Sequence, residues 1–303
     1  MSAGLLGIEG LNRGEIEAIL RRAKDFQIAH DQPPKRLDLL RGRMVVNLFY
    51  EASTRTRTSF EIAAKRLGAD AISITAAGSS VSKGESLVDT LNTLAAMHPD
   101  AIIMRHSASG APHFLARYLP TPIINAGDGT HEHPTQALLD ALTILDRTGH
   151  LEGLQIAIIG DIAHSRVARS NIYLLSKFGA RIVLCGPASL LPPQLADMAP
   201  GVALTSDMKQ AIHGADVIMM LRVQLERQHE AAFPASEYFQ FYGLRLEHLQ
   251  LAKPAAIVMH PGPINRGREL SSEVADSQRS VILNQVENGI AVRMSVLERI
   301  LCQ

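Results

Sequence analysis

The stretch Asn47–Glu61, NLFYEASTRTRTSFE, holds the reading on which the fold turns. Its front end continues the apolar run that begins at Met44, MVVNLF, which has the length and composition of a buried strand. Its back end opens a helical pattern over Thr56–Leu67. Between them lie Ser53, Thr54, Arg55, Thr56, Arg57, Thr58 and Ser59, hydroxyls alternating with guanidiniums. A strand that passes through a polar turn into a helix is the repeating unit of a parallel α/β sheet. Such a turn points backbone N–H groups and the positive end of a helix dipole outward, an arrangement that favours an anion. Hydroxyls add donors, and arginine grips phosphate oxygens in a bidentate fashion. Taken alone, the stretch is equally compatible with a helix capped by Ser53 or Thr54 and flanked by solvated arginines.

The same alternation continues outward. The pattern predicts a helix over Gly10–Ala29, strands at Ala71–Thr75, Ala101–Met104 and Thr121–Asn125, and helices at Ser86–Met97, His113–Tyr118 and Pro134–Arg147. The glycines of Arg147–Gln155, RTGHLEGLQ, interrupt it. It restarts with strands at Gln155–Gly160, Arg181–Cys185, Val217–Leu221 and Ala256–Met259. Helices are expected at Ser165–Phe178, around Pro193–Met198 and at Asp207–Ile212, and a last helix over Val281–Leu301 is expected to be interrupted near Gly289. The fold class is therefore α/β, with two doubly wound domains, each a mainly parallel sheet flanked by helices, and an active site in the cleft between them. The expected division is 1–148 and 149–289, with the terminal helix 290–303 returning to the first domain.

Composition narrows the function. A chain of 303 residues with 30 basic and 30 acidic side chains has no net charge to attract nucleic acid or an acidic membrane. Any anion site must come from local clustering. Cys185 and Cys302 have no metal-ligand spacing, which argues against a disulfide scaffold or a zinc site and fits a reducing cytoplasm. No apolar run reaches membrane-spanning length, and the N-terminus lacks the pattern of a signal peptide.

The polar motifs fall after the predicted strands, where ligands bind in such sheets. Arg105 and His106 follow DAIIM. In NAGDGTHEHPTQALLD, His133 stands just before Pro134 at a helix start, with Gln136 on the first turn. The dipole there lowers an imidazole's pKa, and a neutral imidazole N–H polarises a carbonyl without adding charge. His131 and His133 resemble a metal pair, but no carboxylate or cysteine spacing supports one, so neither metal nor cofactor is expected. GSSVSKGES carries Lys83 on a small-residue loop suited to closing over a ligand. Ile156–Arg166 begins like a dinucleotide-binding strand but has only Gly160 and no G-x-G-x-x-G, which argues against a nicotinamide cofactor. Arg166, then Arg222 and Gln224 in MMLRVQLER, suit a carboxylate ligand. HPGPINRGRE offers the backbone of Gly262 and Pro263 at the same rim. Each motif alone is compatible with an ordinary surface loop. Together they describe a phosphorylated ligand and a carboxylate ligand brought to one place.

At this point the chain resembles the aspartate/ornithine carbamoyltransferases. FYEASTRTRTSFE, SKGES, MRH, NAGDGTHEHPTQALLD, GDIAHSRVARS, LRVQLER and HPGPINRGRE occur in that family's order and spacing over nearly the whole chain. Pro261 follows His260 where ornithine-specific members have cysteine, and LRVQLER replaces their D-x-x-x-S-M-G segment, so the pattern is closer to the aspartate-specific members. The resemblance implies carbamoyl transfer from carbamoyl phosphate to L-aspartate in pyrimidine biosynthesis. It implies that Ser53, Thr54, Arg55, Thr56, Arg105, His133, Gln136, Gly262 and Pro263 bind carbamoyl phosphate, and that Lys83, Arg166, Arg222 and Gln224 bind aspartate. Thr56, Arg105, His133 and Lys83 would act in catalysis. Ser79 and Lys83 would enter the site of a neighbouring subunit, which makes a homotrimer the active unit, alone or with regulatory or dihydroorotase-type chains. Some members have leucine where this chain has Gly262, a difference of little consequence if the backbone makes the contact. Glu51, beside the phosphate cradle, is expected to pair with an arginine across the cleft.

Overall fold

In the computed structural model, which describes residues 4–30, 36–75, 87–223 and 235–302, the short apolar runs become strands of two separate sheets, both entirely parallel. The chain divides into two compact units, Met1–Leu142 with Val286–Gln303, and Thr143–Gln285.

In the first unit β1 (Met44–Phe49), β2 (Asp70–Thr75), β3 (Ala101–His106) and β4 (Ile123–Asp128) lie in the order β2-β1-β3-β4. Its helices are α1 (Arg13–His30), α2 (Thr54–Arg66), α3 (Leu87–Ala95), α4 (Ala111–Leu115) and the start of α5 (Pro134–Thr148). β1 is buried along nearly its whole length because helices cover both faces of a parallel sheet. Val46, Leu48, Ile102, Met104 and Ile123 pack against Leu91, Leu94 and Leu115 on one face. β2 is the edge strand, and its Ile72 is exposed. At the head of α1, Asn12 and Glu15 exchange reciprocal side-chain to backbone hydrogen bonds of 2.9 and 3.0 Å, which satisfies N–H groups a helix start leaves without intrahelical partners.

In the second unit β5 (Gln155–Ile159), β6 (Arg181–Cys185), β7 (Val202–Thr205), β8 (Val217–Met220) and β9 (Ile257–Met259) lie in the order β7-β6-β5-β8-β9. The flanking helices are α6 (Arg166–Ser176), α7 (Met208–Ile212), α8 (Ala235–Tyr242) and α9 (Ser272–Ala275). Ile159, Ile218, Met220 and Val258 form a core with Met208, Ile212, Leu244 and Leu270.

Two sequence expectations fail here. Val202–Thr205, not expected as a strand, is the outer strand β7, and its side chains are only partly buried. The helix expected around Pro193–Met198 is present, as a 3-10 helix, since paired prolines at its head remove donors that an α-helix would use. The terminal helix α10 (Ile282–Leu301) runs without interruption through Gly289. The glycine serves packing. A Cβ at 289 would sit 2.5 Å from Arg293 Nη1 and 3.2 Å from Leu139 Cδ2. Its absence lets the buried Arg293 side chain turn back, donating to Gly289 O at 3.0 Å and Ser59 Oγ at 2.8 Å. The guanidinium also lies over the Phe60 ring, 5.0 Å from its centroid. One arginine of α10 thus fixes the helix that follows the polar turn of β1. Elsewhere along α10, Ser295 Oγ donates to Ile19 O at 2.9 Å, and Arg299 pairs with Glu15 at 2.7 Å.

Replacing Arg293 with alanine leaves a cavity beside Phe60 and strips Ser59 and Gly289 O of their donor. The expected cost is about 3 kcal/mol on the first transition of denaturant unfolding. An unchanged transition would show that α2 does not depend on this anchor.

Candidate active site

A reversal of strand order in a parallel sheet opens a crevice at the strands' carboxyl ends. The first sheet reverses between β1 and β3, and the second between β5 and β8. Of the sequence-predicted residues, Ser53 to Thr56 and Arg105 lie on or after the strands that flank the first reversal, and Arg166 and Arg222 after those that flank the second; His133 and Gln136 follow β4, and Gly262 and Pro263 follow β9.

At the first, the turn after β1 starts α2 at Thr54, two residues ahead of the expected Thr56. Ser53 is the N-cap, its Oγ accepting from Thr56 N at 3.4 Å. Ser53 therefore caps the helix, and Thr54, Arg55 and Thr56 form its first turn. Thr54 and Arg55 are exposed, whereas Thr56 is 7% exposed. Ser59, facing the other way, holds Arg293. Arg105 lies within β3 rather than after it. Its Nη1 donates to Ala126 O at 3.2 Å and its Nη2 pairs with Glu51 Oε1 at 3.3 Å. The partner found for Glu51 thus belongs to the same unit, where β1 and β3 are neighbours and their carboxyl ends adjoin. His106 accepts from Ala108 N through Nδ1 at 2.9 Å, and burial lowers its pKa, so it is a neutral ring held in place.

From β4 the chain passes through Gly127 and Gly129, both with positive φ, to His133, which is buried immediately before α5. His133 O accepts from Gln136 N at 2.9 Å. Gln136 Nε2 donates to Asp140 Oδ1 one helical turn on, at 2.9 Å. An ionised carboxylate only accepts, so this bond fixes the amide's orientation and leaves Oε1 as the acceptor for a ligand. Asp140 was not singled out in the sequence; its signal is the Gln-to-Asp spacing of four residues along a helix.

At the second reversal, Arg166 is the first residue of α6, buried, behind the Ser165 cap whose Oγ accepts from Ala168 N at 3.1 Å. Arg222 follows β8 and is partly buried. The next residue, Val223, donates its N–H to Glu269 Oε1 at 3.2 Å, and Glu269 also accepts from Asn265 N and Nδ2, both at 2.9 Å. Burial pushes the Glu269 carboxyl above its usual range against these hydrogen bonds. This glutamate, the last residue of HPGPINRGRE, splints the Arg222 segment to the loop after β9. In that loop the Gly262–Pro263 peptide is cis, and Gly262 N donates to His260 Nδ1 at 2.8 Å. Ser79, Lys83 and Gln224 lie outside the described residues.

Comparison with known proteins gives the family. Residues 4–146 match the model of the aspartate/ornithine carbamoyltransferase carbamoyl-phosphate-binding domain, and residues 152–300 that of the aspartate/ornithine-binding domain. The chain belongs to the aspartate/ornithine carbamoyltransferase family. An aspartate carbamoyltransferase catalytic subunit of Solibacter usitatus is 83% identical over 99% of this chain and all of its own length. A Trypanosoma cruzi aspartate transcarbamoylase, solved with carbamoyl phosphate and aspartate, has a TM-score of 0.90 at 34% identity, over 98% of this chain and 96% of that one. Ornithine carbamoyltransferase from Pyrococcus furiosus has a TM-score of 0.88 at 31% identity, over 97% and 95%. The fold is thus common to both branches of this carbamoyltransferase family, and the acceptor must be argued from side chains.

The Ser53 cap separates a structural from an electrostatic role. Ser53→Asp keeps the cap, so its melting temperature should stay near that of the native chain. Inorganic phosphate should raise the melting temperature of the native chain, and the added carboxylate should abolish that rise by repelling the anion. Retained stabilisation by phosphate would place the anion elsewhere.

Proposed function

We infer that the chain transfers the carbamoyl group of carbamoyl phosphate to the α-amine of L-aspartate, releasing N-carbamoyl-L-aspartate and phosphate, a committed step of de novo pyrimidine biosynthesis. The observation that carries this reading is the convergence of Thr56, Arg105 and His133 at the carboxyl ends of three neighbouring strands, β1, β3 and β4. The names of the curated relatives support aspartate as acceptor, as does Pro261 after His260.

The two substrates are both anions, and their repulsion in a dry site is severe. The first-turn amides and side chains of Ser53, Thr54, Arg55 and Thr56 hold the phosphate. Arg105 bridges the phosphate and the carbonyl oxygen, exchanging part of its ion pair with Glu51 for the ligand. His133 donates to the same carbonyl oxygen. Gln136 Oε1 and the Gly262–Pro263 backbone accept from the carbamoyl NH₂. Arg166, Arg222, Gln224 and Lys83 hold the aspartate carboxylates. The amine attacks the carbamoyl carbon, giving a tetrahedral intermediate whose oxyanion faces Thr56, Arg105 and His133. The bond to the phosphate oxygen then breaks, and the departing phosphate takes the amine proton. Catalysis is positioning with oxyanion stabilisation. No covalent intermediate is needed, and burial pushes the Cys185 thiol up to about 12, which suits packing and not nucleophilic attack.

The active unit in this reading is a homotrimer in the cytoplasm. Ser79 and Lys83 of one subunit complete the site of the next, with regulatory or dihydroorotase-type chains as further partners. No helix among the described residues is long and apolar enough to cross a membrane.

Phosphate release from carbamoyl phosphate should require L-aspartate and should not respond to L-ornithine. His133→Ala should lower kcat by about 10²–10³-fold with the fold intact. Release driven by L-ornithine would select the sister activity, and no release with either amine would leave a phosphometabolite-binding module. Subunit sharing has its own test. Mixing inactive Lys83→Ala and Arg105→Ala chains under conditions that exchange subunits should restore activity, because some mixed sites then carry neither defect. A mixture as inactive as its components would exclude a shared site.

A further inference from the structure

Asp128 closes β4 and is completely buried. Its carboxylate is oriented by three N–H donors: Asn125 Nδ2 at 2.8 Å, Gly110 N at 2.6 Å and Glu132 N at 3.1 Å. Beside it His131 Nδ1 lies 3.0 Å from Asp128 Oδ2. His113, projecting from α4, stands edge-on to His131 with ring centroids 5.2 Å apart. One ligand atom from each of the three residues lies within 4.8 Å of the other two. His113 Nδ1 is buried and has no hydrogen-bond partner. None of the three has a role in the carbamoyl-transfer site.

We propose that His113, Asp128 and His131 form a binding site for a divalent transition-metal ion of the zinc type. Two imidazoles and one carboxylate are the donor set zinc accepts, with water in the fourth position. The part-exposed edge of His131, whose side chain is 34% accessible, admits that water. Bonds of about 2.0–2.1 Å place tetrahedral donors roughly 3.3 Å apart. The His131–Asp128 pair already has nearly that spacing, so a ring movement of roughly 1–1.5 Å by His113 completes the set. The ion replaces the proton between His131 and Asp128 and gives His113 Nδ1 the partner it lacks. The hydrogen bonds from Asn125, Gly110 and Glu132 hold the carboxylate as outer-shell groups hold a metal ligand. Glu132 and Glu9 are close enough to act electrostatically on His131, and they favour a dication; Arg117, acting on His113, opposes it. An ion here ties α4 to the turn that delivers His133 two residues later.

The probe is Zn²⁺ itself, titrated into the untagged, chelator-stripped full chain in competition with a chromophoric indicator. The expected result is one equivalent per chain at micromolar free zinc. His113→Ala and His131→Ala should each weaken binding at least about 10-fold, the double variant should lose the equivalent, and His213→Ala on the surface should not change it. Melting in chelator confirms that each variant is folded. Co²⁺ in place of Zn²⁺ should give the visible absorption of a tetrahedral centre, absent from the double variant. An equivalent that survives the double variant, or no equivalent in the native chain, overturns the proposal.

Discussion

A parallel sheet whose strand order reverses leaves one place where neighbouring connections diverge to opposite faces, and the arginines of the proposed site lie at strands that flank that gap. Both sheets reverse once, between β1 and β3 and between β5 and β8. At the reversal a turn has room for a ligand without unburying core; there Ser53 caps α2 and Ser165 caps α6, each followed in the first turn by an arginine, Arg55 exposed and Arg166 buried.

The electrostatic consequence is concentration without net charge. Thirty basic and thirty acidic side chains cancel over the chain, yet Arg55, Arg105, Arg166 and Arg222 all fall near the two reversals. Arginines so placed must be restrained before a ligand arrives, or their side-chain entropy would weaken binding. Arg105 is held between Ala126 O and Glu51. If the proposed phosphate site is right, Glu51 is a removable counter-ion of Arg105 rather than an intruder beside an anion. Arg293, by contrast, is fully buried and pulled below the usual arginine range by desolvation, with Asp140 opposing that shift and Arg55 adding to it. It belongs to the scaffold that fixes α2.

The fold was largely legible because covered parallel strands read as short unbroken apolar runs. β1 and β6 fall on their expected residues, and α5 differs only at its end. β7 escaped because VALT is short and half-exposed at a sheet edge, so neither burial nor alternation marks it. Gly289 misled because propensity sees a weak helix position, whereas packing needs the missing Cβ. Among site residues, Ser53 to Thr56, Arg105, His133, Arg166 and Arg222 were visible as polar groups at strand ends. Asp140 and Glu269 were not singled out, because they act by orienting Gln136 and the Arg222 segment through buried hydrogen bonds. Such a role depends on three-dimensional neighbours, and no composition or period reports it.

The histidines of THEHP show the same limit most sharply. Two imidazoles separated by one residue suggest a pair, yet the chain turns between them. His131 is drawn down to Asp128 as the segment bridges back on β4, through Asp128 N donating to Glu132 O at 3.1 Å. His133 is carried past that bridge to the head of α5, where its own carbonyl begins the helical hydrogen bonds. Spacing along the chain therefore separates these two rings into different chemistries. The true neighbour of His131 is His113, from a different element, brought there because Gly110 N at the head of α4 donates to the same Asp128 carboxylate. One buried aspartate thus decides which histidines lie together and leaves His133 apart from them at the head of α5.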